Sequence, residues 1–490
     1  MAAETQTQLA VLRYSGELST KARATRYQFT RRLLHNLRDA LESEGIEPRI
    51  ETSHDRIFVT LPKNASADAL TRVFGIQSLS LAERRTADDL ETIVDHGSRL
   101  FGDVVRGKRF AVRARHVGNR RPGDIRSKDV MRELGAALLP RSAGVDLDHP
   151  ETAVHLEMSN GEVFFFSDTI QAQAGLPLGV EGRAVALVSG GFDSAVAAWH
   201  LLRRGVCLDY VFCNLGGATH RLGTLRVTKV LADRWSYGDH PRFHTVEFAP
   251  VVEELKARTQ ARYWQILLKR SMLRAAERVT RERRAAAIVT GEAVGQVSSQ
   301  TLQNLAVISA ATTEPILRPL VGFHKEEIIA AAERIGTFDL SKVVGEYCDM
   351  VPSRPATAAT RNAILEEEAR LDLSLLDRCV SERDVIDLRG ADVEELVIPE
   401  LEIEKIPANA TVIDVRTKRE YTSWHYPEAL WLDFAEAMKA YPSFERGQSY
   451  VLYCEYGLKS AHLAERMRAE GFDASNFRGG TRALRRLVGS

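Results

Sequence analysis

The sequence is poor in cysteine, with five in 490 residues: Cys207, Cys213, Cys348, Cys379 and Cys454. An odd, scattered set does not make a disulfide framework; it fits a reducing compartment and predicts a cytoplasmic protein. No two stand in the CxxC spacing of a zinc site, so no metal ligand is assigned. Long apolar runs are missing as well. None approaches the roughly 20 residues that cross a bilayer, so no membrane partner is expected. The opening stretch MAAETQTQLAVLRYSGE lacks a basic segment followed by an apolar one, so no secretory signal is expected. Net charge is zero, with 66 Lys and Arg against 66 Asp and Glu. Low-complexity tracts are absent, and so is any repeat of about 20–50 residues, which excludes a solenoid.

What is present is an ordinary globular composition, 44% hydrophobic and 27% charged, in a chain too long for one compact core. Three or four domains are expected. Zero net charge conceals local asymmetry. Nine Lys or Arg and a single acid, Asp124, lie between Arg106 and Lys128, and a second cluster runs from Lys21 through Arg23, Arg26, Arg31 and Arg32. A lone basic run is most simply a solvated face; two clusters in a neutral chain point to a polyanion partner.

In chain order, LAVLRY predicts a strand, and TRYQFTRRLLHNLRDALESEG a helix that Gly45 can cap. RIFVTLP follows as a strand, giving a small α+β pattern that ends near VFGIQSLS. In FAVRAR apolar and basic residues alternate, so one face packs while Arg113 and Arg115 point outward. A helix at SKDVMRELGAALL and strands at TAVHLEM and EVFFFSD complete that segment. From 184 the pattern changes to strand–helix units: AVALV, then SAVAAWHLLRR ending at Gly205, then VCLDYVFCN, with later units at AAAIVTG and KEEIIAAAERIG. This alternation predicts a parallel sheet with helices on both faces. Residues 370–408 are charged and weakly patterned and read as a domain junction; TVIDV, SYVLYC and SAHLAERMRAEG then begin another small α/β unit.

Ser189-Gly190-Gly191-Phe192-Asp193-Ser194 joins an apolar strand to a helix. Glycines let the backbone approach a ligand, and a helix N-terminus offers unpaired N–H groups to an anion, a geometry that suits a pyrophosphate. The Gly-Lys-Ser/Thr ending of a Walker loop is missing, so no γ-phosphate switch is expected.

This loop resembles the PP-loop of enzymes that cleave ATP between its α and β phosphates. LRYSGELSTKARATRYQF, VFGIQSLS, FAVRARHVGNRRPGD, FCNLGGATH, TGEAVGQVSSQTLQNL and RPLVGFHKEEII narrow the resemblance to tRNA 4-thiouridine synthetases, over nearly the whole chain. The resemblance implies an α/β multidomain protein: ferredoxin-like α+β at 1–80, an RNA-gripping THUMP domain at 81–170, a doubly wound parallel-sheet PP-loop domain at 171–370, a linker at 371–408 and a rhodanese-like α/β domain at 409–490. It implies contacts to ATP from Leu187, Val188, Ser189, Gly190, Gly191, Asp193, Ser194, Lys269, Gly291 and Gln300, with Lys325 as a further cation near the pyrophosphate. Gly291 ends an apolar strand, where ligands of parallel sheets collect. The Gln300 amide can both donate and accept. Asp193 either binds Mg2+ or orients the phosphates. The basic clusters, with Arg113, Arg115, Arg120 and Arg121, are the expected grip on tRNA.

Cys454 ends the strand SYVLY and opens the turn Cys-Glu-Tyr-Gly-Leu-Lys-Ser before a helix. Backbone N–H groups and the positive end of the helix dipole favour a thiolate there. TVIDVRTKREY, WHYPEAL, the C-x-x-G-x-x-S loop and FRGG are similar to rhodaneses, which carry sulfur as a cysteine persulfide; this implies the carrier role for Cys454. WHYPEAL departs from the usual Gly-His-Ile-Pro-Gly-Ala type, with His425 and Pro427 kept. GEYCDMVPSRP resembles the family's second catalytic cysteine region, which implies a role for Cys348. Cys207 and Cys213 read as core.

The resemblance further implies conversion of uridine at tRNA position 8 to 4-thiouridine, a cysteine desulfurase as sulfur donor, and a thiamine-pathway sulfur-carrier protein as second acceptor. Sulfur reaches the base by direct persulfide attack or as released sulfide. Rival readings are a thiazole-only sulfur supplier, another adenylating ligase, and a noncatalytic tRNA-binding protein with a degenerate core.

Overall fold

The computed structural model describes residues 7–53, 55–86, 89–118, 124–342, 344, 354–392, 401–455 and 457–488. It is an α/β multidomain chain with three sheets, in two compact units.

The first unit is residues 1–181 with short pieces at 202–206 and 237–239. Its nine-stranded sheet is built along Ile76–Thr86. The first part of this long strand pairs antiparallel with Thr7–Tyr14, and its last residues, Glu83–Thr86, pair with Glu162–Phe166. One half therefore carries the helix Arg23–Ser43 and its buried stripe of Phe29, Leu33, Leu37 and Leu41. That helix ends where Gly45 takes φ +70° and Ile46 N–H bonds Leu41 O at 2.9 Å, the expected glycine stop. The other half packs Ser127–Leu138 over Arg109–His116, through Val112, Val130, Leu134 and Leu138.

In the second unit, the central sheet runs in the order Ile316–Leu317, Ile288–Val289, Arg183–Val188, Cys207–Asn214, Arg242–Glu247 and Asp384–Asp387. The first five are parallel. Arg183–Val188 is flanked on its two sides by strands that follow it by different crossovers, which makes its carboxyl end a switch point where a crevice opens. The helix Phe192–Arg203 is anchored by the fully buried Trp199, and it begins two residues earlier than the apolar pattern suggested. Phe192 and Asp193 are thus already in its first turn.

The stretch read as a linker has structure of its own. Leu373–Ser381 is a helix burying Leu376, Cys379 and Val380, and Asp384–Asp387 is an antiparallel edge strand on the central sheet. An edge strand with mostly exposed side chains carries no alternation to read. Glu402–Ile403 likewise already belongs to the last sheet, paired with Asp473–Phe477. That five-stranded sheet is parallel throughout, with Ser449–Tyr453 at its centre. Among the described residues no helix is long and apolar enough to cross a membrane.

Candidate functional site

A cavity of about 250 Å3 opens at the switch point of the central sheet. Leu187, Val188, Ser189, Asp193, Ser194, Lys269, Gly291 and Gln300 all line it, so residues spread over more than a hundred positions converge on one crevice. Gly190 and Gly191 form the loop between them. Gly190 has φ +78°, and a Cβ there would meet Thr224 Oγ1 at 2.8 Å and Val344 Cγ1 at 2.9 Å. Ser194 Oγ donates to Gly191 O at 3.1 Å and receives Ser189 N–H at 3.4 Å, which closes the loop on the helix start. Gly291 is required by packing: a Cβ there would lie 2.6 Å from Asp193 C and 2.7 Å from Ser194 N.

Charges around the crevice are paired. Lys325, first residue of the helix Lys325–Ile335, reaches Asp193 Oδ1 at 2.8 Å, and Gln296 donates to Asp193 Oδ2 at 3.1 Å. Lys269 Nζ lies 3.1 Å from Glu292 Oε1, and Arg318 Nε lies 2.8 Å from Glu292 Oε2. Burial pushes the Glu292 carboxyl up, but Lys269 and Arg318 outweigh it and hold the group below its ordinary range. His220 Nε2 donates to Ser189 O at 3.1 Å. Burial, with a smaller push from His462, lowers His220 to about 4 against that hydrogen bond. Glu292, Arg318 and His220 were missed as site residues, although each stands inside a motif string that carried the family resemblance.

These residues fit an adenine nucleotide. A positive-φ glycine loop at a helix N-terminus suits phosphate oxygens. Among the described residues Gln300 Oε1 is buried with no hydrogen-bond partner, so the crevice holds an acceptor open to a donor. Among the described residues no group of three or more His, Cys, Asp or Glu side chains could hold a metal ion by itself.

Cys454 lines a second, larger cavity of about 640 Å3 together with Arg416, Lys418 and Lys459, and with Asp339 and Lys342. Ser460 Oγ lies 3.3 Å from Cys454 Sγ and donates to Asn476 Oδ1 at 2.6 Å. Gly457, at φ +74°, starts the helix Leu458–Ala469 that follows. Gly480 packs on the cysteine turn so closely that a Cβ would meet Cys454 O at 2.4 Å. Arg416 is fixed by two bonds to Asp414, Nε–Oδ1 2.9 Å and a second nitrogen to Oδ2 at 2.6 Å. Cys348 lies outside the described residues. Cys207 and Cys213 are buried, and burial pushes the Cys213 thiol up.

In the first unit, Arg113 and Arg115 are exposed on one strand. Arg115 joins Arg13 and Arg56 around the buried Glu157, at 2.5, 2.9 and 2.7 Å. Burial opposes ionisation of Glu157, yet the three guanidinium groups bring it down to about 2. Arg13, Arg115 and Glu157 line a cavity of about 380 Å3 beside Phe166, whose ring stacks on His155 at 5.3 Å. Arg120 and Arg121 lie outside the described residues.

Four family models match the chain: ThiI ferredoxin-like domain over residues 9–80, THUMP domain over 87–168, Thiamine biosynthesis protein (ThiI) over 179–373 and Rhodanese-like domain over 400–486. A tRNA sulfurtransferase of Pyrobaculum aerophilum is 37% identical over 469 residues, 94% of this chain and 95% of that protein. One of Desulfurococcus amylolyticus is 35% identical over 469 residues, 95% and 96% respectively. The crystal structure of a 4-thiouridine synthetase in complex with RNA and bound ATP superposes with a TM-score of 0.70 at 30% identity, covering 78% of this chain and 99% of that one.

Proposed function

Because the chain belongs to the tRNA sulfurtransferase family, we propose that it converts uridine at tRNA position 8 to 4-thiouridine in the cytoplasm, with ATP as activator and Cys454 as sulfur carrier. The observation that carries this reading is the crevice at residues 187–194: a glycine loop and a helix N-terminus, with Lys269 and the buried Gln300 amide on its walls. The solved relative, a synthetase with bound RNA and ATP, supports the same assignment of substrates.

In this reading the Ser189–Ser194 backbone and Lys325 hold the phosphates, and Gln300 and the apolar wall of Leu187 and Met272 hold the base. Asp193 is the one loop carboxylate for Mg2+, whose other ligands would be phosphate oxygens and water. Transfer of AMP to the uridine C4 oxygen, with release of pyrophosphate, turns that oxygen into a leaving group. The terminal sulfur of a Cys454 persulfide attacks C4 and AMP departs. The Cys348 thiolate then attacks Cys454 Sγ, the S–S bond to the base breaks, and thiouridine leaves with its sulfur. The resulting Cys348–Cys454 disulfide takes two electrons from an external dithiol before the next turnover. Lys342 lines the Cys454 cavity, and Cys348 is six residues further along the chain, within a reach of about 20 Å. That supports a meeting of the two sulfurs.

Arg113, Arg115, Arg120 and Arg121 are proposed to grip tRNA, joined by Arg13 and Arg56. A cysteine desulfurase is the proposed donor of sulfur to Cys454. The family model's description as a thiamine biosynthesis protein supports a second acceptor, a thiamine-pathway sulfur-carrier protein, served by Cys454 through the cavity it lines. The noncatalytic alternative has no use for an intact glycine loop or for Cys454.

The test is 4-thiouridine formation on unmodified tRNA with ATP, a cysteine desulfurase, cysteine and reductant. Wild type is expected to form it and Cys454→Ala to fail; Cys348→Ala should stall after sulfur attack. Full activity of Cys454→Ala refutes the persulfide relay.

A further inference from the structure

The helix that follows the Cys454 turn, Leu458–Ala469, does more than close its own domain. Glu465 on this helix accepts Ala218 N–H at 3.0 Å through one oxygen and Thr219 N–H at 3.4 Å through the other. Those amides belong to the first turn of Gly217–Trp235, a helix packed on the central sheet. Its own sequence supplies no cap: Gly216 makes no side-chain cap bond and the first turn has no acid. The capping carboxylate comes instead from 247 residues away.

The backbone at the contact is shaped to admit that carboxylate. Gly217 has φ +72°, and a Cβ there would lie 2.5 Å from Glu465 Oε1. One turn earlier on the same helix, His462 is close enough to His220 to depress its protonation. His220 in turn bonds Ser189 O, in the glycine loop. A third contact lies at Cys454 itself, whose cavity is walled partly by Asp339 and Lys342 of the central domain. The sulfur-carrying domain and the nucleotide domain thus meet at three points, and at one of them Glu465 brings an anion from one domain to the positive end of a helix of the other.

We propose that Glu465 is a positioning residue for sulfur transfer: it docks the Cys454 domain on the helix Gly217–Trp235 and so turns Cys454 toward Lys342, the side from which the chain runs on to Cys348. This rests on the persulfide relay described above. Glu465 touches no substrate. It acts on the steps that need the two domains together, sulfur delivery and attack by Cys348, and leaves sulfur loading of Cys454 and adenylation of the uridine alone.

The experiment compares full-length wild type with Glu465→Gln, Glu465→Ala and Glu465→Lys. Four quantities are measured: thiouridine rate, persulfide loading of Cys454 by a cysteine desulfurase, tRNA-dependent pyrophosphate release in the first turnover, and amide hydrogen exchange at Ala218 and Thr219. A carboxylate at a helix N-terminus shifts an equilibrium by about three- to thirtyfold. Glu465→Ala should therefore lose about that factor in thiouridine rate, and Glu465→Lys more, with faster exchange at both amides and normal loading and first-turnover pyrophosphate release. Glu465→Gln, whose amide oxygen can still accept, should keep most of the rate. Unchanged exchange and rate in Glu465→Lys overturns the proposal. So does a loss that tracks reduced loading, or a faster rate, which would make the docked form a resting state. If wild type makes no thiouridine, the relay reading fails, and exchange at Ala218 and Thr219 still decides whether Glu465 docks the domains.

Discussion

Two glycines of the nucleotide crevice should fail for different reasons when replaced by alanine. At Gly291 the added carbon would lie 2.6 Å from Asp193 C and 2.7 Å from Ser194 N, where ordinary contact begins at 3.4 Å. Those are backbone atoms at the start of a helix pinned by the buried Val196 and Trp199, so the retreat of roughly 0.8 Å falls on the glycine loop and on the Ser194–Gly191 bond. Overpacking of this kind costs about 1–3 kcal/mol. A displacement near 1 Å at a positioning group can cost about 100-fold in turnover. Gly191→Ala meets nothing nearer than Ser189 Oγ at 3.6 Å, so it should fold normally, with stability within about 0.5 kcal/mol of wild type. Loss of ATP binding in that variant would then report a methyl group standing where a phosphate must approach. Thermal melting separates the fold effect, and equilibrium binding of ATP with tRNA-dependent AMP formation separates the site effect. The reasoning is refuted if Gly291→Ala keeps wild-type melting and ATP affinity, or if both variants melt alike and early.

Glu157→Gln should destabilise the first unit at neutral pH. The carboxyl sits at about 2 instead of 4.5, so its contribution is complete above pH 4.5 and fades as pH falls toward 2; the difference corresponds to about 3 kcal/mol. Urea midpoints of wild type and variant should differ at pH 7 and converge in strong acid; equal midpoints at pH 7 would contradict the ion cluster. Glu292→Gln leaves Lys269 and Arg318 facing each other without their shared anion, at a cost of about 3 kcal/mol with weaker ATP binding, and a variant of wild-type stability would show that the cluster contributes nothing. His220 and His244 are both lowered to about 4, in each case chiefly by burial. The unfolded chain takes up their protons first, so stability should fall as pH drops from about 6.5 to 4. His244→Gln should flatten that dependence in a pH series of unfolding midpoints, and an unaltered slope would refute it.

Legibility in the sequence followed the range of the interactions. The central sheet was readable because AVALV and VCLDYVFCN are buried on both faces and a glycine loop marks the first crossover. Gly45 and Gly205 were readable as stops because a left-handed residue after a helix has few alternatives to glycine. Asp384–Asp387 was not, because an exposed edge strand is defined by its neighbour, Arg242–Glu247, and not by its own pattern. The site divides in the same way. Lys325 was expected near the pyrophosphate, but its bond to Asp193 across 132 residues was not. Glu157 gave no clear signal: it alternates with the core residues Val154, Leu156 and Met158 and so falls on the opposite face of its strand, while its partners Arg13 and Arg56 are 144 and 101 residues distant. Glu465 gave none: on a helix already explained by its own core, an outward glutamate looks like any solvated one.

Lys325 and Lys269 are held in unlike ways, and this bears on how the crevice fills. Lys325 and Asp193 form a pair with side chains 43% and 28% exposed, the kind worth no more than about 1 kcal/mol. An arriving phosphate can draw Lys325 from Asp193 at little cost. Lys269 has no such freedom. Glu292, buried and shared with Arg318, holds it in one place, and Thr290 Oγ1 adds a bond to the same carboxylate at 3.2 Å. A fixed cation preorganises the field before the ligand enters, whereas an exchangeable one lets the loop stay neutral when empty. The crevice thus avoids the self-repulsion of two uncompensated lysines, one held by an exchangeable partner and one by a fixed one.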